Sequence, residues 1–273
     1  MTSARSPEAT LAQMYDESAE AYDEFWAPVL HRHARDLLRT VPAVPGAART
    51  AVDVAAGAGT LAPALRELVG PDGLVVALDR SHGMLRRAPR AEPRIQADAT
   101  ALPLADAAAD IAVLAFVLFL LPDARAAVTE AARILRHGGW LLAATWGTQI
   151  DTGADVVVRE ELVAVHAPAF PNLPRSDNLT DSAERMASLL GPAGFADVRT
   201  TAHPLDAVFD ARSALALRTQ SGSLGWRFAR LDEVDRATVL RRAAHRLATL
   251  PPGKFVDRSE VLLTVARRRG PQR

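Results

Sequence analysis

The sequence predicts a doubly wound α/β domain, and three observations carry that reading. Short, continuous apolar runs of strand length recur from residue 51 onward. Between them lie stretches whose apolar residues repeat at helical spacing. A glycine turn, Gly57-Ala58-Gly59, joins the first run to the first such stretch. Continuous apolar strands separated by helices indicate a parallel sheet covered on both faces.

Taken in order, the N-terminal region to about residue 40 reads as helical and is rich in aromatics, among them Tyr15, Tyr22, Phe25 and Trp26. After the proline-rich segment 41–46, residues 51–55 (AVDVA) form the first strand. Residues 60–69 follow as a helix with Leu61, Leu65, Leu68 and Val69 on one face, Pro63 being tolerated in its first turn. Gly70-Pro71-Asp72-Gly73 breaks it before a second strand at 74–78 and a short helix at 81–88. Brief third and fourth strands are expected at 95–97 and 111–116. A helix over 124–135 is ended by His137-Gly138-Gly139, and a fifth strand spans 140–145. A helix at 180–190 and strands at 198–201 and 261–266 complete the pattern.

Residues 155–177 and 207–250 fall outside this rhythm and read as mostly helical inserts. With the N-terminal region they are expected to cap the carboxyl ends of the strands, where open α/β sheets bind ligands. The expected organisation is one domain over 1–273, its core at about 41–150, 180–204 and 258–267, with cap segments at about 1–40, 151–179 and 205–257.

Lysine plus arginine number 32 and aspartate plus glutamate 32, so the formal net charge is zero. That argues against a general nucleic-acid binder, and the run Arg267-Arg268-Arg269 reads as the solvated end of a strand. The absence of cysteine excludes disulfides, thiolate metal sites and cysteine nucleophiles. The longest apolar run, 111–121, falls short of the roughly 18 residues a membrane span needs. With no signal peptide visible in the first ten residues, a cytoplasmic protein is expected, with no membrane partner.

Chemistry concentrates at the ends of the first three strands. Gly57 and Gly59 suit close approach of the backbone to a ligand. Gly57-Ala58-Gly59-Thr60-Leu61-Ala62 and Asp79 also fit a dinucleotide fingerprint, so a nicotinamide-dependent oxidoreductase stays open on these two motifs. Asp53, however, precedes the glycines, where a pyrophosphate gains nothing from a negative charge but an ammonium and a sulfonium would. Asp98, in Gln96-Ala97-Asp98-Ala99, suits an adenine amino group.

Together with the blocks at 110–123 and 133–147, these motifs resemble the class I S-adenosylmethionine-dependent methyltransferases, in the small-molecule branch that includes the ubiquinone and menaquinone enzymes. The resemblance covers roughly 15–147 and returns at 189–198. It implies a Rossmann-like, mostly parallel seven-stranded sheet with an antiparallel last strand. It also implies S-adenosylmethionine as cofactor, with S-adenosylhomocysteine as product. Asp53, Ala55 and Gly57 would then hold the methionine end, and Asp79 both ribose hydroxyls. Arg80 and Met84 would line the adenine side, while Asp98 and Ala99 read adenine. Phe116 and Val117 would lie beneath the sulfonium, and Tyr22 would reach the cofactor from a lid helix.

The chain departs from the family pattern in two places. Ala55 and Ala56 replace residues that are usually glycine, or cysteine or glycine. Phe119 and Leu120 stand in a stretch where relatives often carry a histidine pair. Candidates for a general base are therefore Tyr15, His31 and His166. His31 and His33 are two apart, too close in sequence to share a helix face as a metal pair, and no metal is expected. Trp146 and the Trp226-Arg227-Phe228 run fit a substrate wall or the core equally well. The implied activity is methyl transfer to a small, fairly apolar acceptor of the secondary-metabolite kind. A cyclase or rearrangement enzyme that binds the same cofactor without methylating is the alternative on the same fold.

Overall fold

The computed structural model describes residues 7–41, 49–205 and 207–270, so most of the expected 41–46 linker lies outside the described residues. Helices α1 (Pro7–Ala21) and α2 (Ala27–Arg39) are joined by a widened π turn, Tyr22–Trp26. The core then alternates: β1 (Thr50–Val54), α3 (Ala62–Val69), β2 (Leu74–Asp79), α4 (His82–Arg87), β3 (Arg94–Gln96), β4 (Ala109–Ala115), α5 (Ala124–Ile134) and β5 (Leu135–Trp146). After them come α6 (Gly153–Ala164), α7 (Ala183–Leu190), β6 (Phe195–Pro204), β7 (Ala207–Val208), α8 (Ala211–Gln220), α9 (Gly222–Ala229), α10 (Glu233–Ala248), β8 (Val256–Asp257) and β9 (Glu260–Arg268).

Seven strands pair in the order β3-β2-β1-β4-β5-β9-β6. The first five are parallel, and β9 runs antiparallel between β5 and β6. Both faces are covered, as the continuous apolar strands require. Val52, Val54, Ala112 and Leu114 pack toward α5 and α7 on one face. Their neighbours Ala51, Ile111 and Val113 pack toward α2 and α3 on the other. This alternation is the two-residue period of a strand. Asp53 takes the second face and is 3% exposed, an acid at a position the pattern reserves for an apolar side chain.

β1 and β4 each end one residue earlier than the sequence suggests, because Ala55 and Phe116 turn into the left-handed region at φ 57° and 58°. The expected helix stop at His137-Gly138-Gly139 is displaced for a different reason. The chain passes directly from α5 into β5 at Leu135, which pairs with Ala109, while Trp140 pairs with Ile111. Arg136, His137, Gly138 and Gly139 therefore bulge opposite Asp110, with Gly138 at φ 79°. Asp110 is 4% exposed and pins the start of β1 by accepting from the Arg49 and Thr50 N–H groups at 2.6 and 2.8 Å.

α6, α8 and α10 build a third apolar cluster around Val158, Leu162, Val239 and Leu247. Its partner helices α8 and α9 abut α1. Among the described residues, no helix is long and apolar enough to cross a membrane.

Candidate cofactor-binding site

A cavity of about 460 Å³ opens at the carboxyl ends of β1, β2 and β4. β1 is the strand from which the order runs one way to β2 and the other way to β4, the point where open α/β sheets bind ligands. Its walls include Ala55 and Gly57 after β1, Asp79 at the end of β2, Asp98 after β3, and Phe116 and Val117 after β4. Arg80, Met84 and Ala99 complete the set expected from the sequence on that side.

Each acid is held differently. Asp79 accepts from the Gly57 N–H through one oxygen and from the Ser81 N–H through the other, both at 2.8 Å, so the glycine turn and the end of β2 are tied through one carboxylate. Burial raises its pKa against these hydrogen bonds, which lower it. Asp98 accepts from the Thr100 N–H and hydroxyl at 2.9 and 2.8 Å and pairs with Arg80 at 2.8 Å. A carboxylate has about four acceptor positions, so Asp98 retains acceptor capacity toward a ligand amino group.

Asp53 lines a second, smaller chamber of about 50 Å³, together with Gly57, Thr60, Phe116 and, from α2, His31. Among the described residues its carboxylate accepts no hydrogen bond. Burial, with a smaller contribution from the Asp79 charge, pushes its pKa up to about 7. The two chambers share Tyr22, Ala55, Gly57, Ala115 and Phe116 in their walls.

The roof comes from α1 and the π turn. Leu11, Ala12, Tyr15 and Tyr22 line the larger cavity, and the two tyrosine rings meet edge to face with centroids 6.1 Å apart. Asp16 fastens this roof by accepting from the Ser81 hydroxyl and the Gly83 N–H, both at 2.6 Å. Asp23 pairs with Arg87 at 2.8 Å farther along. Sequence reasoning missed Asp16, because its partners lie 65 and 67 residues away. Ser81 as the cap of α4 is the one local signal: its hydroxyl accepts from the Met84 N–H.

The base candidates separate. Tyr15 reaches the cavity, but burial pushes its phenol up to about 12, so the phenolate is scarce near neutral pH. His31 lies in the small chamber. His166 is exposed, in a left-handed turn just past α6 with φ 55°, and is not in the wall of either chamber. Trp226 also lies apart, because its indole is taken up between Phe170 and the Arg230 guanidinium. No described residue of 151–179 or 205–257 lines the larger cavity. The C-terminal helices brace the lid helix from behind instead, through contacts such as Glu17 with Arg230 at 3.3 Å.

A family model described as a methyltransferase domain matches residues 52–143. The chain is 31% identical over 208 residues to the demethylmenaquinone methyltransferase of Clavibacter sepedonicus, a match covering 69% of this chain and 83% of that protein. It is 30% identical over 211 residues to the demethylmenaquinone methyltransferase of Mycolicibacterium vanbaalenii, covering 69% and 87%. The chain belongs to the class I S-adenosylmethionine-dependent methyltransferases. The fold of this methyltransferase is shared with the YcgJ protein of Bacillus subtilis at a TM-score of 0.58 and 19% identity, over 88% of this chain and 99% of that one.

The cofactor of the methyltransferase is S-adenosylmethionine, and the residues present fit it. Three carboxylates stand at or just past the ends of three adjacent strands. His31, whose enclosed Nδ1 has no hydrogen-bond partner among the described residues, shares a chamber wall with one of them, Asp53. Gly57, at φ 56°, leaves the cavity open: a Cβ there would meet nothing nearer than Tyr22 at 4.0 Å. Membership of this family sets aside the nicotinamide reading that Asp79 and the glycine turn alone allowed.

Ala55 holds a backbone conformation that costs a residue with a Cβ about 1–2 kcal/mol. Ala55→Gly relieves that strain at a smaller loss of chain entropy. The variant is expected to be more stable by about 0.5–1 kcal/mol, as measured by denaturant unfolding.

Proposed function

We propose that the chain transfers the methyl group of S-adenosylmethionine to a small, largely apolar acceptor of the secondary-metabolite or quinone kind. The observation that carries this reading is an aromatic wall at the carboxyl ends of β4 and β5. The Phe116 and Trp146 rings lie 5.2 Å apart, and Trp26 meets Trp146 at 6.2 Å. Phe116 is shared with both chambers, so this wall adjoins the proposed cofactor site on an apolar surface.

When bound, S-adenosylmethionine supplies a methyl group already activated on a sulfonium sulfur. The residues of the chain then have to align two reactants and exclude water, which together can supply much of the acceleration. In this reading Asp79 holds both ribose hydroxyls, with its orientation fixed by Gly57 and Ser81. Asp98 and Ala99 take the adenine edge, with Arg80 and Met84 beside it. Asp53 takes the ammonium of the methionine end. Phe116 and Val117 form the floor beneath the sulfonium, and Tyr15 and Tyr22 close the roof against solvent. Burial keeps the Tyr15 phenol protonated near neutral pH although it lines the cavity, and His166 lines neither chamber. That favours acceptors that arrive ionised or as neutral amines.

The test is a panel of apolar phenols, hydroquinones and amines incubated with the protein and S-adenosylmethionine. Expected is a product heavier by one methyl group, formed together with S-adenosylhomocysteine. Trp146→Ala is expected to raise the acceptor KM about tenfold, the worth of a lost aromatic contact, while leaving S-adenosylhomocysteine affinity unchanged. Binding of cofactor with an isomerised but unmethylated product would instead support the cyclase reading.

A further inference from the structure

Resting on the reading that S-adenosylmethionine fills the larger cavity, we propose that His31 anchors the carboxylate of the cofactor's amino-acid end, opposite Asp53. The small chamber holding both residues lies on the α2 and α3 side of β1 and continues the larger cavity past Gly57. Its wall is otherwise mostly apolar, formed by Ala27, Leu30, Ala34 and Leu61. Two polar groups there are unmatched. The Nδ1 atom of His31 is enclosed and has no hydrogen-bond partner among the described residues. The carboxylate of Asp53 accepts no hydrogen bond from them either, and Asp53 is 3% exposed.

Among the described residues, the Asp53 carboxylate is thus an unmatched acceptor on the chamber wall, and the His31 ring lines the same wall with its Nδ1 unpaired and shielded. A ligand there meets Asp53 directly and the imidazole nitrogen after a turn of the ring. Polar groups left unpaired in this way are costly to the free protein. They form the complement of one chemical group, an α-amino acid, which carries an ammonium and a carboxylate on one carbon. The volume decides between this role and that of a base for the acceptor. About 50 Å³ admits a small head group but no aromatic acceptor. α2 seals the far side with Leu30 and Ala34, 7% and 4% exposed. His31 thus becomes a cofactor-binding residue delivered by the N-terminal segment. This second role for the segment, beyond roofing the nucleoside, couples its docking to the amino-acid end of the ligand.

The experiment is calorimetric titration of the wild type, His31→Ala and His31→Gln with three probes. S-adenosylhomocysteine carries the whole amino-acid end, decarboxylated S-adenosylmethionine lacks only the carboxylate, and 5′-methylthioadenosine lacks both charged groups. His31→Ala is expected to weaken S-adenosylhomocysteine by about 10- to 100-fold, the range for one hydrogen bond to a charged group. Affinity for the other two probes should be unchanged. His31→Gln, which keeps an N–H donor, should recover part of the loss and serves as the readout if the alanine variant does not fold. Equal weakening of all three probes, or no weakening of S-adenosylhomocysteine, would overturn the assignment. Failure of the wild type to bind any probe would instead overturn the cofactor reading beneath it.

Discussion

Asp53→Asn is expected to stabilise the ligand-free protein above neutral pH and, in the same variant, to weaken S-adenosylhomocysteine binding. The wild-type carboxyl is buried on the apolar face that β1 turns toward α2 and α3, and its pKa rises from 3.8 to about 7. The fold therefore favours the protonated acid. The stabilisation it contributes is fully present below the unfolded value near 3.8 and is lost as pH rises through about 7. The full penalty of ionisation above that range is about 4 kcal/mol, and an unpaired amide in its place returns about 1–3 kcal/mol of that cost. A net gain of about 2 kcal/mol, or roughly 4–8 °C in Tm for a chain of this size, follows. The difference between variant and wild type should level off above pH 7 to 8. Toward pH 4 it should reverse, because the wild-type acid is then protonated and only the amide's cost of about 1–3 kcal/mol remains, leaving the variant the less stable. Binding moves the opposite way. An ammonium needs the ionised acid, so wild-type affinity should fall about tenfold per pH unit below 7, and the asparagine variant should lack that dependence. A flat Tm difference across pH would contradict the buried, raised acid.

Asp79→Ala has the second large effect, with a different signature. The carboxylate accepts from Gly57 and Ser81, and Ser81 in turn donates to Asp16 of the lid helix. Removing it takes away the proposed ribose hold, loosens the glycine turn and frees one end of the lid connection. Losing a carboxylate that serves two ligand hydroxyls is expected to cost about 2–4 kcal/mol of binding, 30- to 1000-fold. Unlike the Asp53 and His31 variants, this one should weaken 5′-methylthioadenosine as strongly as S-adenosylhomocysteine, because both carry the ribose. Selective loss of S-adenosylhomocysteine alone would move Asp79 to the amino-acid end and break the proposed division of labour.

The sheet was legible because parallel strands buried on both faces leave continuous apolar runs. The approximate positions of β1 to β5 follow from that pattern, and the mostly parallel seven-stranded sheet with an antiparallel last strand from the family resemblance. The order β3-β2-β1-β4-β5 is seen only in the structure. What escaped were features set by contacts distant in sequence. β5 begins at Leu135 because that residue pairs with Ala109, and no local signal distinguishes this from a glycine-terminated helix. Phe116 was read as the end of a strand, yet it sits at φ 58°, a conformation a bulky residue adopts only when its surroundings enforce it. At the site, the acids and the glycine turn drew attention in the sequence itself, the remaining residues were named only by the family resemblance, and the cavity walls contain them. The lid attachments through Asp16 and Asp23 were not, since their partners Ser81, Gly83 and Arg87 lie on α4 or at its cap. The helical inserts were recognised as helices, but their docking behind α1 depends on side-chain matching such as Glu17 with Arg230, which helical periodicity does not encode.

The most direct measurement is calorimetric titration of the native protein with S-adenosylhomocysteine, repeated on Asp79→Ala. Saturable one-to-one binding, lost in the variant, is the predicted result and places the cofactor between the ends of β1, β2 and β3. Absence of saturable binding to the native protein, or equal binding by the variant, would contradict the cofactor site derived from these carboxylates.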